Sequence, residues 1–259
     1  MRKLFFIILM ASALWGTAQT LQQINEEILK YERCFEQLSH PEPKTVNHQL
    51  SDGTNIDVVQ RTDYRNKRFL QADPDVRRLN VNIMDNQDLT QWEIQEASRI
   101  FDDAFGVGPA FNIFAHGISD PEGGSTGVRI GGKDLTPQQT AELILRTLDD
   151  YELVLNAYDR PFPIVLHTCN SAKGSDPFAA QLQREISKHI KNAVVIAADA
   201  PVYAQIDADG NYIETIATVA PKGNTSGRKW IAFDSNCTKP ISPDWKKTVR
   251  TVASAWGIQ

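Results

Sequence analysis

Two short apolar runs each end in a side chain able to take part in acyl transfer. Ala110-Phe111-Asn112-Ile113-Phe114-Ala115 leads into His116-Gly117, and Phe162-Pro163-Ile164-Val165-Leu166 leads into His167-Thr168-Cys169-Asn170. A thiolate attacks a carbonyl carbon, and an imidazole beside it takes the thiol proton and later returns it to the leaving amine. His116 is therefore the candidate general acid/base and Cys169 the candidate nucleophile. The backbone N–H groups of Gly117 and Cys169 are candidate oxyanion donors, and a glycine lets a substrate carbonyl approach closely. Two more strand-end residues are candidate substrate contacts. Alternation along its strand puts His167 on the face of Cys169, although a structural role is the favoured one, and Asp199 stands just past the run Ala193 to Ala197. Tyr203 and Trp230 read as packing aromatics. Zinc would suit His116, His167 and Cys169 by type, but no close ligand pair such as Cys-x-x-Cys accompanies them. No Gly-x-Ser-x-Gly turn points to a serine nucleophile. The pair requires neither cofactor nor metal.

The surrounding pattern must deliver these residues to one place. A helix is expected over Leu21 to Leu38, followed by a polar stretch to about Asp75 with a strand at Asn55 to Gln60. A strand at Arg78 to Met84 precedes a helix over Gln91 to Phe105, with Asp88 and Thr90 as cap-type residues. The Gly-rich loop Ser119 to Asp134 reads as a flap, with an extended piece at Gly127 to Ile130. Thr136-Pro137 opens a helix running towards Tyr158. Asp176-Pro177 opens another before the strand at Ala193 to Ala197. Asp207-Ala208-Asp209-Gly210 has hairpin-turn chemistry between Val202–Ile206 and Tyr212–Val219. A strand at Lys229 to Phe233 and a helix at Asp244 to Trp256 complete the chain. Alternating strands and helices predict an α/β fold with a sheet covered on both faces. Ligands of such sheets bind outside the carboxyl ends of the strands, where His116 and Cys169 both fall.

The 259 residues, formal charge of −5 and 41% apolar content are those of a globular protein. An acidic chain without a Lys/Arg stripe is a poor ligand for nucleic acid or an anionic membrane. Residues 1–18 read as a signal peptide: Arg2 and Lys3, an apolar stretch Leu4 to Trp15, then Gly16-Thr17-Ala18. That stretch is shorter than the twenty or so residues of a membrane span, so the mature chain is expected to be exported, periplasmic or extracellular, with no membrane partner. An oxidising compartment favours cysteine pairing, and Cys34 with Cys237 is the pair that leaves Cys169 free. The expected organisation is a signal peptide at 1–18, an N-terminal helix with a candidate pro-segment or accessory layer at 19–75, and the main domain at 76–259.

The motifs Phe111-Asn112-Ile113-Phe114-Ala115-His116-Gly117 and Ile164-Val165-Leu166-His167-Thr168-Cys169 resemble the paired strand-end motifs of the caspase-like clan of cysteine peptidases. His116 and Cys169 are 53 residues apart, near the interval of about 50 in caspases. Within the clan the chain is most similar to the self-processing domains of bacterial toxins, through Val128-Arg129-Ile130-Gly131-Gly132-Lys133-Asp134-Leu135-Thr136 and the helix after it. The likeness covers about Val81 to Phe233. It implies a three-layer α/β/α sandwich with a mostly parallel central sheet and a C-terminal hairpin. It also implies a His116/Cys169 dyad without a third catalytic residue, Gly117 as an oxyanion donor, and a protein or peptide substrate. Two departures stand out. The Arg/Lys-specific branches carry an aspartate where this chain has His167, and the basic cluster that binds inositol phosphate in the toxin domains is absent. A catalytically silent binding protein or toxin component, and a thiol amidase or acyl transferase, are the competing readings. The sequence sets no oligomeric state.

Overall fold

In a computed structural model, the structure describes residues 42–63, 79–85, 91–105, 107, 109–121, 123–149, 155, 161–208, 212–217, 229–235, 238–242 and 244–253. The expected signal peptide, the N-terminal helix, Cys34, Cys237 and their pairing lie outside the described residues. Among the described residues no helix is long and apolar enough to cross a membrane.

The strands are β1 Lys44–Gln49, β2 Asn55–Asp63, β3 Asn80–Asp85, β4 Ala110–Phe114, β5 His116–Ser119, β6 Ser125–Ile130, β7 Lys133–Leu135, β8 Phe162–His167, β9 Ala193–Ala198, β10 Val202–Ile206, β11 Tyr212–Ala217, β12 Trp230–Phe233 and β13 Thr238–Ser242. The helices are α1 Gln91–Phe105, α2 Pro137–Thr147, α3 Phe178–Ile186 and α4 Trp245–Ala253. Eight strands form one sheet in the order β1-β2-β3-β4-β8-β9-β12-β13, while β5-β6-β7 and β10-β11 form two small antiparallel sheets.

The expected mostly parallel sheet is corrected to a mixed one. Only β3-β4, β4-β8 and β8-β9 are parallel, and the pairings of β1-β2, β2-β3, β9-β12 and β12-β13 run antiparallel. The parallel centre is legible because β8 and β9 are buried at every residue and so read as unbroken apolar runs. Towards the N-terminal edge that signal fades: β2 alternates buried and less buried residues, and β1 is polar and mostly exposed. In particular, residues 44–63, part of the stretch read as a candidate pro-segment, supply β1 and β2, and β2 pairs directly with β3.

Apolar side chains on opposite faces of β8 enter different cores. Ile164 and Leu166 pack with Leu143 and Ile144 of α2 and with Leu182 and Ile186 of α3. Val165 packs with Trp230, with Ala104 of α1 and with Trp245 and Val249 of α4. α2 begins as its sequence demands. The Thr136 hydroxyl oxygen accepts a hydrogen bond from the Gln139 amide, the Gln139 side-chain oxygen accepts one from the Thr136 amide, and Pro137 occupies the first turn. It ends at Thr147, well short of Tyr158.

Candidate active site

β4 and β8 are adjacent parallel strands, and Phe114 is the register partner of His167. His116 and Cys169 therefore each stand two residues beyond a paired position, on chains whose strands lie about 4.8 Å apart. Their ends are packed together. A Cβ built on Gly117 would lie 2.4 Å from the carbonyl oxygen of Cys169 and 3.2 Å from Ser125 Oγ, so only a glycine fits between the two strand ends. β5 leaves the large sheet at His116 and pairs with β6, with His116 opposite Arg129 and Gly117 opposite Val128. The His116 side is thus the first strand of a separate three-stranded flap, and the histidine is exposed.

The Cys169 side is a tight turn tied to two elements. Asn170 adopts a left-handed φ of 56°, which asparagine tolerates better than most residues. Its amide donates to the Ala200 carbonyl at 3.0 Å, that of Ala172 to Ala198 at 2.9 Å, and that of Ala179 in α3 to Ser171 at 3.0 Å. The hydroxyls of Thr168 and Ser171, both fully buried, hydrogen-bond each other beneath the turn. The turn is therefore held on the end of β9 and the start of α3.

Cys169 is a free, half-buried thiol. The Val202 amide donates to its Sγ at 3.3 Å, and the Val202 carbonyl lies 3.7 Å from the sulfur as an acceptor. Among the described residues these are its only hydrogen bonds, so His116 makes no direct hydrogen bond to the thiol. Such bonds are often completed only when substrate arrives. The Cys169 amide donates to no acceptor among the described residues. Val202 begins β10, whose only sheet partner among the described residues is β11, and its N–H and C=O both face the sulfur. A strand edge without a strand partner among the described residues thus starts at the thiol. Nothing in the Val202 sequence context signals this, because the contact depends on the chain folding back from β9.

The other two candidate contacts have different positions. His167 does not reach the cleft, and its assignment to substrate binding is corrected. It is 5% exposed, stacked on Phe114 with ring centroids 4.1 Å apart, and it meets the edges of Trp245 at 4.6 Å and Trp230 at 5.7 Å. Alternation does put it on one face of the strand, but that face is filled by aromatics from the C-terminal third of the chain. Trp230 is part of this core. Asp199 lies beside the cysteine turn, half-buried, with Oδ1 accepting from the Lys229 amide at 2.9 Å, so one of its oxygens ties β9 to the chain entering β12. Tyr203 is half-buried in β10. Among the described residues no group of three or more His, Cys, Asp and Glu side chains is gathered as a metal site. A polar cleft of about 240 Å³ adjoins the site between the flap and the chain after the cysteine turn, lined by residues including Asp120, Ser125, Lys173 and Asp176 but by neither His116 nor Cys169.

Burial, with a smaller contribution from the charge of Lys246, lowers the His167 pKa to about 3. Lys246 is itself paired with Asp103. The unfolded chain takes up a proton near pH 6.5 and the folded chain does not, so this group makes stability fall as pH drops from about 6.5 towards 3. The expected slope is roughly 1.4 kcal/mol per pH unit in that window. Thermal melts of wild type and His167→Gln between pH 4 and 7.5 check this: the variant should show the flatter profile, and equal slopes would refute it.

No protein-family model and no curated protein matches the chain.

Proposed function

We propose that this chain is an exported cysteine endopeptidase with a caspase-like three-layer α/β/α arrangement, cleaving peptide bonds through an acyl-enzyme on Cys169. The packing of Gly117 against the Cys169 carbonyl carries this reading, because it brings the histidine-bearing and cysteine-bearing strand ends into contact. His116 takes the thiol proton as the sulfur bonds to the substrate carbonyl carbon. The developing oxyanion accepts hydrogen bonds from the Cys169 amide and, as the second donor, that of Gly117. His116 then protonates the leaving amine as the C–N bond breaks, and water, deprotonated by His116, hydrolyses the thioester and restores the thiol. The edge of β10 that has no strand partner among the described residues supports an extended peptide as substrate, since its backbone groups can pair with an added strand.

The test is the rate of Cys169 alkylation by iodoacetamide against pH, in wild type and His116→Ala, together with cleavage of a mixed peptide library. Wild type should be alkylated at lower pH than the variant, and cleavage should vanish in Cys169→Ala. The Val202 contacts at the thiol favour a second reading, a catalytically silent binding protein. An alkylation profile indifferent to His116, with no cleavage, selects that one. Testing for an inhibitory N-terminus by cutting near residue 75 would also remove β1 and β2, so the cut belongs before residue 42.

A further inference from the structure

Three asparagines interrupt the apolar strands at the centre of the sheet. Asn80 and Asn82 in β3 and Asn112 in β4 are at most 1% exposed, in a setting where asparagine is normally depleted. They form a connected ladder. Asn80 Nδ2 donates to the Ala104 carbonyl near the end of α1 at 3.2 Å. Asn112 Nδ2 donates to Asn82 Oδ1 at 3.1 Å and to Asn80 Oδ1 at 3.4 Å. That leaves Asn112 Oδ1 facing His167 Nε2 at 3.2 Å. An amide oxygen only accepts, so the network assigns the His167 proton to Nε2 and leaves Nδ1 bare, in keeping with Nδ1 having no partner.

The ladder crosses β3, β4 and β8 and ends two residues before Cys169. Its Asn112 rung lies four residues before His116. Apolar side chains would fill the same space without desolvating amides, so the polar groups need another explanation. Register supplies it. A two-residue slip of β4 against β8 would move His116 about 6.6 Å along the strand relative to Cys169 and break the Asn112–His167 bond. We propose that the Asn82–Asn112–His167 ladder is a register clamp, with His167 a positioning residue that holds the His116 and Cys169 strand ends level. This rests on the dyad proposed above.

The two amide substitutes for histidine separate this role from ring packing. Both lose the stack on Phe114, but Gln places its NH2 near the position of Nε2, whereas Asn reaches only that of Nδ1. With the full mature chain, His167→Asn should lower kcat for a cleaved library peptide by about 10- to 100-fold with KM within twofold, and should abolish the dependence of Cys169 alkylation on His116. His167→Gln should retain most of both. Equal losses in the two variants, or losses of melting temperature alone, would overturn the clamp. The 15N imidazole spectrum of the wild-type protein at pH 7 requires no variant: His167 should appear as the neutral Nε2–H tautomer, and the Nδ1–H tautomer would also overturn it. Wild-type alkylation indifferent to His116 sinks instead the dyad on which the clamp depends, while leaving the expected spectrum in place.

Discussion

Gly117→Ala is expected to lower peptide cleavage by about 100-fold while the protein remains folded. The added Cβ would stand 2.4 Å from the Cys169 carbonyl oxygen, roughly 1 Å inside ordinary contact. One side must move, and the hydrogen bonds decide which. The cysteine turn is fixed to β9 through Asn170 and Ala172 and to α3 through Ser171. β5 belongs to a three-stranded flap outside the eight-stranded sheet. The flap yields, and His116, the adjacent residue on the same strand, moves with it. A misplacement of about 1 Å costs on the order of 100-fold in rate when reacting groups depend on alignment. The loss should fall on kcat, and Cys169 alkylation should cease to depend on His116. Gly53→Ala, in the turn between β1 and β2, is the control for a destabilising glycine replacement without a clash at the site: nothing lies within 4 Å of its added Cβ, but its φ of +85° strains any side chain, so its loss should fall on stability and not on turnover. Turnover in Gly117→Ala equal to that of the control would mean that the strand-end contact is not part of a catalytic site.

The strand ends were legible because both faces of the central strands are covered. β9 is apolar throughout and β8 as far as Leu166, so the residues that end each run stood out, and α1 appears over the expected Gln91–Phe105. Elsewhere local pattern and tertiary setting diverge. β1, with the sequence Lys-Thr-Val-Asn-His-Gln, is an edge strand that buries none of its residues fully, so it carries no hydrophobic signal. β5 begins one residue after β4 ends, and nothing in Ala115-His116 marks the change of sheet. His167 illustrates the limit most clearly. Period-two alternation gives a side chain's face, but whether that face is cleft or core depends here on Trp230 and Trp245, more than sixty residues away. Val202 at the thiol is similarly non-local, 33 residues from Cys169 in sequence.

Replacing Arg61 by alanine is expected to cost about 3–5 kcal/mol, because it breaks a buried charged hydrogen bond between β2 side chains. Arg61 is 4% exposed in β2, and its Nε donates to Asp63 Oδ2 at 2.9 Å, where the Asp63 side chain is fully buried. The same guanidinium reaches Asp102 at 2.8 Å and lies over the Phe101 ring, 5.5 Å from its centroid, so it joins β2 to α1. The Asp102 carboxylate is 62% exposed and can return to water, whereas Asp63 cannot. The penalty is therefore mainly that of the broken buried Arg61–Asp63 bond, not of the exposed pair. A melting-temperature loss on the order of 10 °C should follow for a chain of this size. The double replacement Arg61→Met/Asp63→Val removes both charges and should recover most of it, since a buried ion pair exchanged for apolar groups is often neutral. A double variant as unstable as Arg61→Ala would show that guanidinium packing on Phe101 and the link to α1, and not the buried charge, hold this edge of the sheet. Because β2 is bonded to β3 and β3 to β4, that outcome would also make the β2 edge a direct support of the strand that carries His116.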